Sequence, residues 1–303
     1  MVNLSVKIGR LKLKNPVMAA SGTFGEEYKD LINVNSLGAL IAKTITLKPR
    51  VGNLPPRVAE TPAGMLNSIG LENKGLDFFL EEKLPILKRL KVPIIGSIAG
   101  DDEGEFAELA KRLGRDSAIS GLEINLSCPN VKHGDREDLI AQDEDAVYKV
   151  VKAVRRAAST TLIAKLSPNV ANITKMARAA KEAGADAVSL VNTFVGMAID
   201  IDTQRPILGN ITGGLSGPAI RPIAIRMVWE VYKKVDIPVI GIGGIMDYKD
   251  AVEFILCGAA AIQIGTANFV NPKAPIEIIG GIKEYLARKK IKDVKKLIGA
   301  LKI

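Results

Sequence analysis

The 303-residue chain contains two cysteines, one histidine and one tryptophan, and aromatic residues make up 4% of it. Cys128 and Cys257 stand far apart and cannot build a disulfide framework. Nor can two thiols supply the four thiolates of an iron–sulfur centre, and with His133 the sole histidine there is no zinc pattern and no expected metal site. Scarce aromatics leave few stacking platforms for single-stranded nucleic acid. No apolar run reaches the ~18 residues that span a bilayer. The opening Met1-Val-Asn-Leu-Ser-Val-Lys7 has neither a long apolar core nor a small-residue cleavage site, so the expected location is the cytoplasm. No G-x-G-x-x-G fingerprint follows the first strand, so NAD is not expected in a Rossmann crevice of this chain.

Positive charge is plentiful, at a net +9, but it is localised. Between Lys283 and Lys302 eight Lys or Arg face only Glu284 and Asp293, while Tyr285, Leu286, Ile291, Val294, Leu297, Ile298 and Leu301 recur at roughly helical spacing. That pattern predicts a solvated helix with an apolar seam, in preference to a nucleic-acid or membrane surface. At 47% hydrophobic the chain can bury a large core, and no linker-like stretch divides it, so residues 1–303 read as one domain.

A hairpin is expected first, Leu4–Ile8 and Leu11–Leu13 about Gly9-Arg10. Eight short apolar runs follow: Pro16–Ala20, Ala39–Lys43, Pro93–Ile98, Leu122–Leu126, Leu162–Leu166, Ala187–Val191, Pro238–Ile242 and Ala260–Ile264. Each is too short for a core helix and rich enough in Ile, Val and Ala for a strand buried on both faces. Helical patterns separate most of them, at Gly104–Leu113, Asp145–Ala157, Ile173–Ala183, Pro222–Lys234 and Asp247–Cys257. Eight strand–helix repeats in this length predict an α/β fold, a TIM (β/α)8 barrel with an N-terminal hairpin and a long insertion after the second strand. The insertion, from Ile45 to about Leu84, carries four prolines and is expected to fold over the barrel mouth.

Polar and glycine residues gather at the strand ends where such a barrel keeps its chemistry. Ser21, Lys43-Thr44, Ser97, Asn125, Lys165, Asn192-Thr193, Gly243-Gly244 and Gly265-Thr266 follow the eight strands in order. Lys43 and Lys165 predict a mouth with two cations, suited to an anionic ligand. Gly241-Ile-Gly-Gly-Ile245 and Gly265-Thr-Ala-Asn268 are candidates to grip a phosphate, since glycine lets backbone N–H groups approach the oxygens. In Glu123-Ile-Asn-Leu-Ser-Cys-Pro-Asn130 the strand stops before Pro129 and leaves Cys128 at its mouth between amide side chains. A thiol there can serve as base, nucleophile or metal ligand, or can be a buried strand-end cysteine. Cys257, at a helix end among apolar residues, reads as a core thiol.

Several blocks in order carry a closer resemblance. They include Lys43-Thr-Ile-Thr-Leu-Lys-Pro-Arg50, Gly52 to Leu71, Asn125-Leu-Ser-Cys-Pro-Asn-Val-Lys132 and Ala164-Lys-Leu-Ser-Pro168. Val191-Asn-Thr-Phe-Val-Gly196, Gly213-Gly-Leu-Ser-Gly-Pro218 and Gly265-Thr-Ala-Asn-Phe269 complete the set. In these the chain resembles, nearly end to end, the class 1 dihydroorotate dehydrogenases, and among them the 1B type. The charged loop His133-Gly-Asp-Arg-Glu-Asp138 and Glu72-Asn-Lys74 depart from the usual pattern.

The resemblance implies one FMN at the mouth, surrounded by Ser21, Lys43, Thr44, Ser97, Asn125, Lys165 and Val191, with Gly217, Gly243, Gly244, Gly265 and Thr266 at its phosphate end. It implies dihydroorotate held by Lys43, Asn67, Ser68, Ile69, Gly70, Leu71, Asn125, Asn130, Asn192 and Thr193. Amides both donate and accept, as a dihydropyrimidine ring requires. Cys128 would be the catalytic base that takes the C5 proton while hydride leaves C6, giving orotate in pyrimidine biosynthesis. FAD and a [2Fe–2S] cluster are expected only on a partner electron-transfer subunit that delivers electrons to NAD+, around a homodimer core of a heterotetramer. Two other readings compete: a tRNA dihydrouridine synthase, another FMN barrel with a cysteine beside the flavin, and a phosphate-binding barrel without redox chemistry.

Overall fold

The computed structural model describes residues 2–25, 28, 30–126 and 140–303. The chain begins with strands β1 (Val6–Ile8) and β2 (Leu11–Leu13), then β3 (Val17–Ala19) and β4 (Ala39–Ile41). Next come β5 (Val58–Thr61), β6 (Gly64–Asn67), helix α1 (Gly75–Phe78), helix α2 (Leu84–Leu87) and β7 (Ile94–Ile98). Helix α3 (Glu103–Leu113), β8 (Ile119–Asn125), α4 (Glu144–Ala157), β9 (Thr161–Lys165), α5 (Ile173–Glu182) and β10 (Ala187–Leu190) follow in alternation. A second excursion holds β11 (Phe194–Met197), β12 (Ile199–Asp200), β13 (Arg205–Pro206) and β14 (Thr212–Ser216). The chain then runs through α6 (Arg221–Lys234), β15 (Val239–Ile242), α7 (Tyr248–Leu256), β16 (Ala259–Ile264), α8 (Ala267–Val270) and α9 (Ala274–Arg288).

Eight parallel strands close into a barrel in the order β3-β4-β7-β8-β9-β10-β15-β16, with β16 returning to β3. Every one of the eight runs read from the sequence is a barrel strand. Most of their residues are buried, as a sheet with helices outside and packed side chains inside requires. The helices start where the sequence offers caps: Asp102, Asp143 and Asn172 accept N–H groups of the first turn, and Asp247 with Asp250 forms a capping box. Among the described residues, no helix is long and apolar enough to cross a membrane.

The N-terminal hairpin plugs the bottom of the barrel. Ile8 and Leu13 are fully or almost fully buried, and the turn at Gly9 lies against Asp186 and Thr161 at the N-terminal ends of β9 and β10. The long insertion has structure of its own: β5 and β6 form a hairpin that joins β14 and β11 in a four-stranded antiparallel sheet. The second excursion was not foreseen, because β11 and β14 are short and glycine-interrupted, and β11 is exposed on one side. The two strands pair with each other, and β14 pairs in turn with β6, a contact remote in sequence.

The cationic tail differs from its expected form. Helix α9 stops at Arg288, and the chain turns at Lys290, whose φ is +56°. The Lys290 N–H donates to Ala287 and the Ile291 N–H to Leu286, a Schellman stop with lysine where glycine is usual. Beyond it Asn3 and Asp293 pair, and Val294 and Leu297 are buried in a 3-10 turn against the core. The apolar seam is real, but a helix, a reversal and a short turn supply it.

Candidate active site

Hydroxyl and amide side chains at the C-terminal ends of five strands join in one hydrogen-bonded chain. Ser21 Oγ, after β3, donates to the Ala42 carbonyl at 2.8 Å and lies 3.1 Å from Thr44 Oγ1. Thr44 Oγ1 lies 2.9 Å from Ser97 Oγ on β7, and Asn125 Nδ2 on β8 reaches it at 3.4 Å. Asn192 Nδ2, beyond β10, donates to Asn125 Oδ1 at 3.3 Å. Thr44, Ser97 and Asn125 are buried, so this is a preorganised polar belt inside the mouth. Val191 is buried in the same region and donates its N–H to Ile242. Asn169, two residues into the loop after Ser167, adds a bond from Nδ2 to the Thr193 carbonyl at 3.1 Å.

Backbone rather than side chain forms the next sector. Gly217, Gly243 and Gly244 have φ of +92°, +127° and +71°. A Cβ on Gly244 would lie 2.7 Å from the Gly217 carbonyl oxygen, and one on Gly217 would lie 2.8 Å from Gly64 Cα. Two loops thus meet at a distance only glycine permits. Arg221, at the start of α6, braces this sector through its ion pair with the buried Asp250. Gly265 faces open space, its nearest neighbour to a Cβ being Ala20 Cβ at 3.8 Å. Thr266 Oγ1 donates to Ser216 Oγ at 2.8 Å. Gly241 belongs elsewhere: a Cβ there would strike Phe254 at 2.5 Å, so it is a packing glycine rather than part of a phosphate grip.

The small sheet brings Asn67 to the same end of the barrel, where Asn67 Nδ2 donates to the Gly214 carbonyl at 3.4 Å. Ser68 is fully buried and its hydroxyl accepts from Asn53, so its side chain supports the loop. Gly70 and Leu71 are left-handed, which turns the chain sharply after Ile69. Cys128 and Asn130 lie outside the described residues.

The two expected cations separate. Lys43 is exposed beside Thr44. Lys165 is buried, its Nζ 3.8 Å from the carboxylate of Glu123, a residue with no exposed surface. The mouth therefore presents Lys43 openly, while Lys165 shares its charge with a buried partner.

The dihydroorotate dehydrogenase family model matches residues 3–286. The chain belongs to the dihydroorotate dehydrogenase family. It is 54% identical to the dihydroorotate dehydrogenase B (NAD(+)) catalytic subunit of Geotalea daltonii over 303 residues, 99% of each chain. Proteins of the same name from Caldicellulosiruptor bescii and a Thermoanaerobacter species are 54% and 53% identical over 304 residues, the full length of each chain. The TIM barrel expected of this family is the barrel described above.

Sequence reading missed one group inside this family's barrel. Ser189 Oγ and Gln263 Nε2 donate to Glu123 Oε2 at 3.1 and 2.6 Å, and all three residues are fully buried. The signal was present: Glu123, Ser189 and Gln263 are lone polar residues within Leu-Glu-Ile, Val-Ser-Leu and Ile-Gln-Ile, runs otherwise fit only for core. The mouth as a whole fits a phosphate-bearing flavin. It offers a polar belt for a heterocycle and its polyol chain, and beside it tight left-handed glycine turns and Gly265, where a Cβ would enter open space.

Proposed function

We propose that this chain is the catalytic subunit of an NAD+-linked dihydroorotate dehydrogenase, a cytoplasmic enzyme that oxidises dihydroorotate to orotate in pyrimidine biosynthesis. The observation that carries this reading is the belt from Ser21 to Asn192 beside the glycine cradle, on a chain matched end to end by relatives of that name. The whole of residues 1–303 serves as one FMN-binding unit. Ser21, Lys43, Thr44, Ser97, Asn125, Lys165 and Val191 surround the ring and ribityl chain, and Gly217, Gly243, Gly244, Gly265 and Thr266 hold the phosphate. When bound, FMN accepts the hydride from substrate C6.

The protein's own part is positioning and proton transfer. Asn67, Asn125, Asn130 and Asn192, with Thr193, match the alternating N–H and C=O groups of the dihydropyrimidine. Lys43 and the turn from Ser68 to Leu71 take the carboxylate, the one formal charge of the substrate. Cys128 removes the C5 proton. A thiol of ordinary pKa, ~8.5, can act as this base at neutral to alkaline pH. Lys165 supplies positive charge that favours the electron-rich form of the flavin.

Two cysteines cannot ligate an iron–sulfur cluster, so this chain would rely on a group outside the polypeptide to take up the electrons. The partner subunit carries FAD and [2Fe–2S] and reduces NAD+. A homodimer core is supported by Val195, Met197, Ile199, Ile201 and Ile211, which the second excursion exposes.

The test is reconstitution with FMN. The purified chain should show the two visible bands of bound oxidised flavin and reduce soluble dyes with dihydroorotate, forming NADH only when the partner is added. Failure to bind flavin would remove this reading and the dihydrouridine synthase alternative together. Rapid NADH formation by the chain alone would refute the partner assignment, and efficient turnover with fumarate would point to the 1A type.

A further inference from the structure

Glu123 is a full carboxylate placed where nothing but barrel interior surrounds it. Along β8 it stands two residues before Asn125, on the same face of the strand and one side-chain layer beneath the polar belt. Its register partner on β7 is Ser97, while Asn125 is level with Lys165 on β9. One oxygen, Oε2, is fixed by Ser189 and Gln263 from β10 and β16. The other, Oε1, has no hydrogen-bond partner among the described residues and faces Lys165 Nζ at 3.8 Å. Three strands besides its own thus hold one charged group, whose open side is turned toward the buried cation. Burying such a group costs several kcal/mol unless it is paired, and here the pairing is with a residue of the mouth.

We propose that Glu123 is a positioning residue for Lys165, holding the ammonium at the floor of the mouth and setting how much of its charge reaches the cofactor. Ser189 and Gln263 act as brackets that keep the carboxylate one layer down, beneath the polar belt. The inference rests on the FMN reading above. Its electrostatic consequence has a definite sign. Glu123→Gln keeps the size of the side chain and removes the negative charge, so Lys165 is left uncompensated. The equilibrium between bound FMN and its two-electron-reduced form should then move toward the reduced form by about tenfold, equivalent to about 30 mV. Gln263→Met removes the dipole whose positive end touches the carboxylate, without changing any formal charge. It should move the same equilibrium toward the oxidised form, by about threefold.

The measurement is a spectrophotometric redox titration of the FMN-loaded chain against a reference dye, with no dihydroorotate present. Thermal melts of each variant run beside it. Glu123→Asp, which retains the charge, should stay within about threefold of the wild type. Opposite shifts in Glu123→Gln and Gln263→Met support the assignment. An equilibrium in Glu123→Gln that is unchanged within twofold, or that moves toward the oxidised form, overturns it. Should Glu123→Gln fail to fold, a Gln263→Met equilibrium equal to that of the wild type overturns it instead. Failure of the FMN reading would look different, since the wild-type chain would then take up no stoichiometric FMN.

Discussion

Replacing Gly265 with alanine adds one methyl group at the end of β16, where a Cβ would meet only Ala20 Cβ at 3.8 Å, an ordinary contact. The backbone there is not left-handed, so the protein itself has room for the change. Loss of chain freedom in the unfolded state should even stabilise it by ~0.4–1 kcal/mol. Gly244→Ala is the contrast. Its φ is +71° and the new Cβ would lie 2.7 Å from the Gly217 oxygen and 3.1 Å from the Arg221 nitrogen. The left-handed penalty of ~1–2 kcal/mol adds there to an overpacking cost of ~1–3 kcal/mol. If Gly265 is kept for a phosphate, its methyl group must act on the ligand alone. Loss of one charge-assisted hydrogen bond, ~1.5–3 kcal/mol, lowers affinity about 10- to 150-fold. The assay is titration of the apoprotein with FMN and with riboflavin, followed by flavin fluorescence, beside thermal melts. Gly265→Ala should melt at or above the wild-type temperature and bind FMN more weakly, with riboflavin binding unchanged because riboflavin has no phosphate. Unchanged FMN affinity, or an equal loss for riboflavin, would refute the phosphate assignment.

Lys43→Ala should weaken orotate binding by ~1.5–3 kcal/mol, the range for a hydrogen bond to a charged group; an equal loss for uracil-like ligands would contradict the carboxylate role. Cys128→Ala should keep FMN and orotate binding yet abolish dihydroorotate oxidation, while Cys128→Ser keeps weak activity that rises toward alkaline pH; wild-type turnover in the alanine variant would end the assignment. Burial, aided by Glu253, pushes the Cys257 thiol above its ordinary pKa, so Cys257 should resist alkylation in the folded protein, and Cys257→Ala should leave turnover nearly unchanged. The Lys88 ammonium, 2.8 Å away, and the Ala118 N–H hold the Asp116 carboxyl below its usual range. A depressed carboxyl stabilises the fold above its unfolded pKa and loses that contribution as pH falls through its folded value. Lys88→Ala should therefore cost under ~1 kcal/mol in urea unfolding at pH ~6, and the difference should vanish in strong acid.

The barrel was legible because each strand carries its own signal: a short Ile-, Val- and Ala-rich run, a polar or glycine residue after it, and a cap before the next helix. Local chemistry decides those features, and the chain states them locally. The belt residues Ser21, Thr44, Ser97, Asn125 and Asn192 were legible for the same reason, by position at strand ends. What escaped depended on partners remote in sequence. Strand β14 lies between β6 and β11 and pairs with both, and no alternation within Phe194–Met197 announces that sheet. The stop of α9 depends on Lys290 accepting a left-handed backbone, which a sequence reader assigns to glycine or asparagine. Lys165 is legible as one of two cations at the mouth, but its pairing with Glu123 is not, because that partner lies 42 positions earlier on another strand.

The same contrast explains how a barrel of this size carries a charged interior at all. Hydrophobic side chains such as Ile95, Leu122, Ile124, Leu162, Val188 and Ile262 bury the strands on either side of the polar group. Closure leaves no sheet edge unpaired, so each strand's backbone is satisfied by two neighbours. Stability that does not depend on the site can absorb the desolvation of Glu123 and Lys165. The consequence is directional. The buried charges on the barrel strands, Glu123 and Lys165, lie at the mouth and the layer just beneath it, while the opposite end is closed by Ile8 and Leu13 of the hairpin. A ligand at the mouth therefore meets the Lys165–Glu123 pair at its floor, with the apolar end of the barrel farther below. That arrangement lets Glu123 act on the cofactor's electrons through Lys165 without touching the cofactor itself.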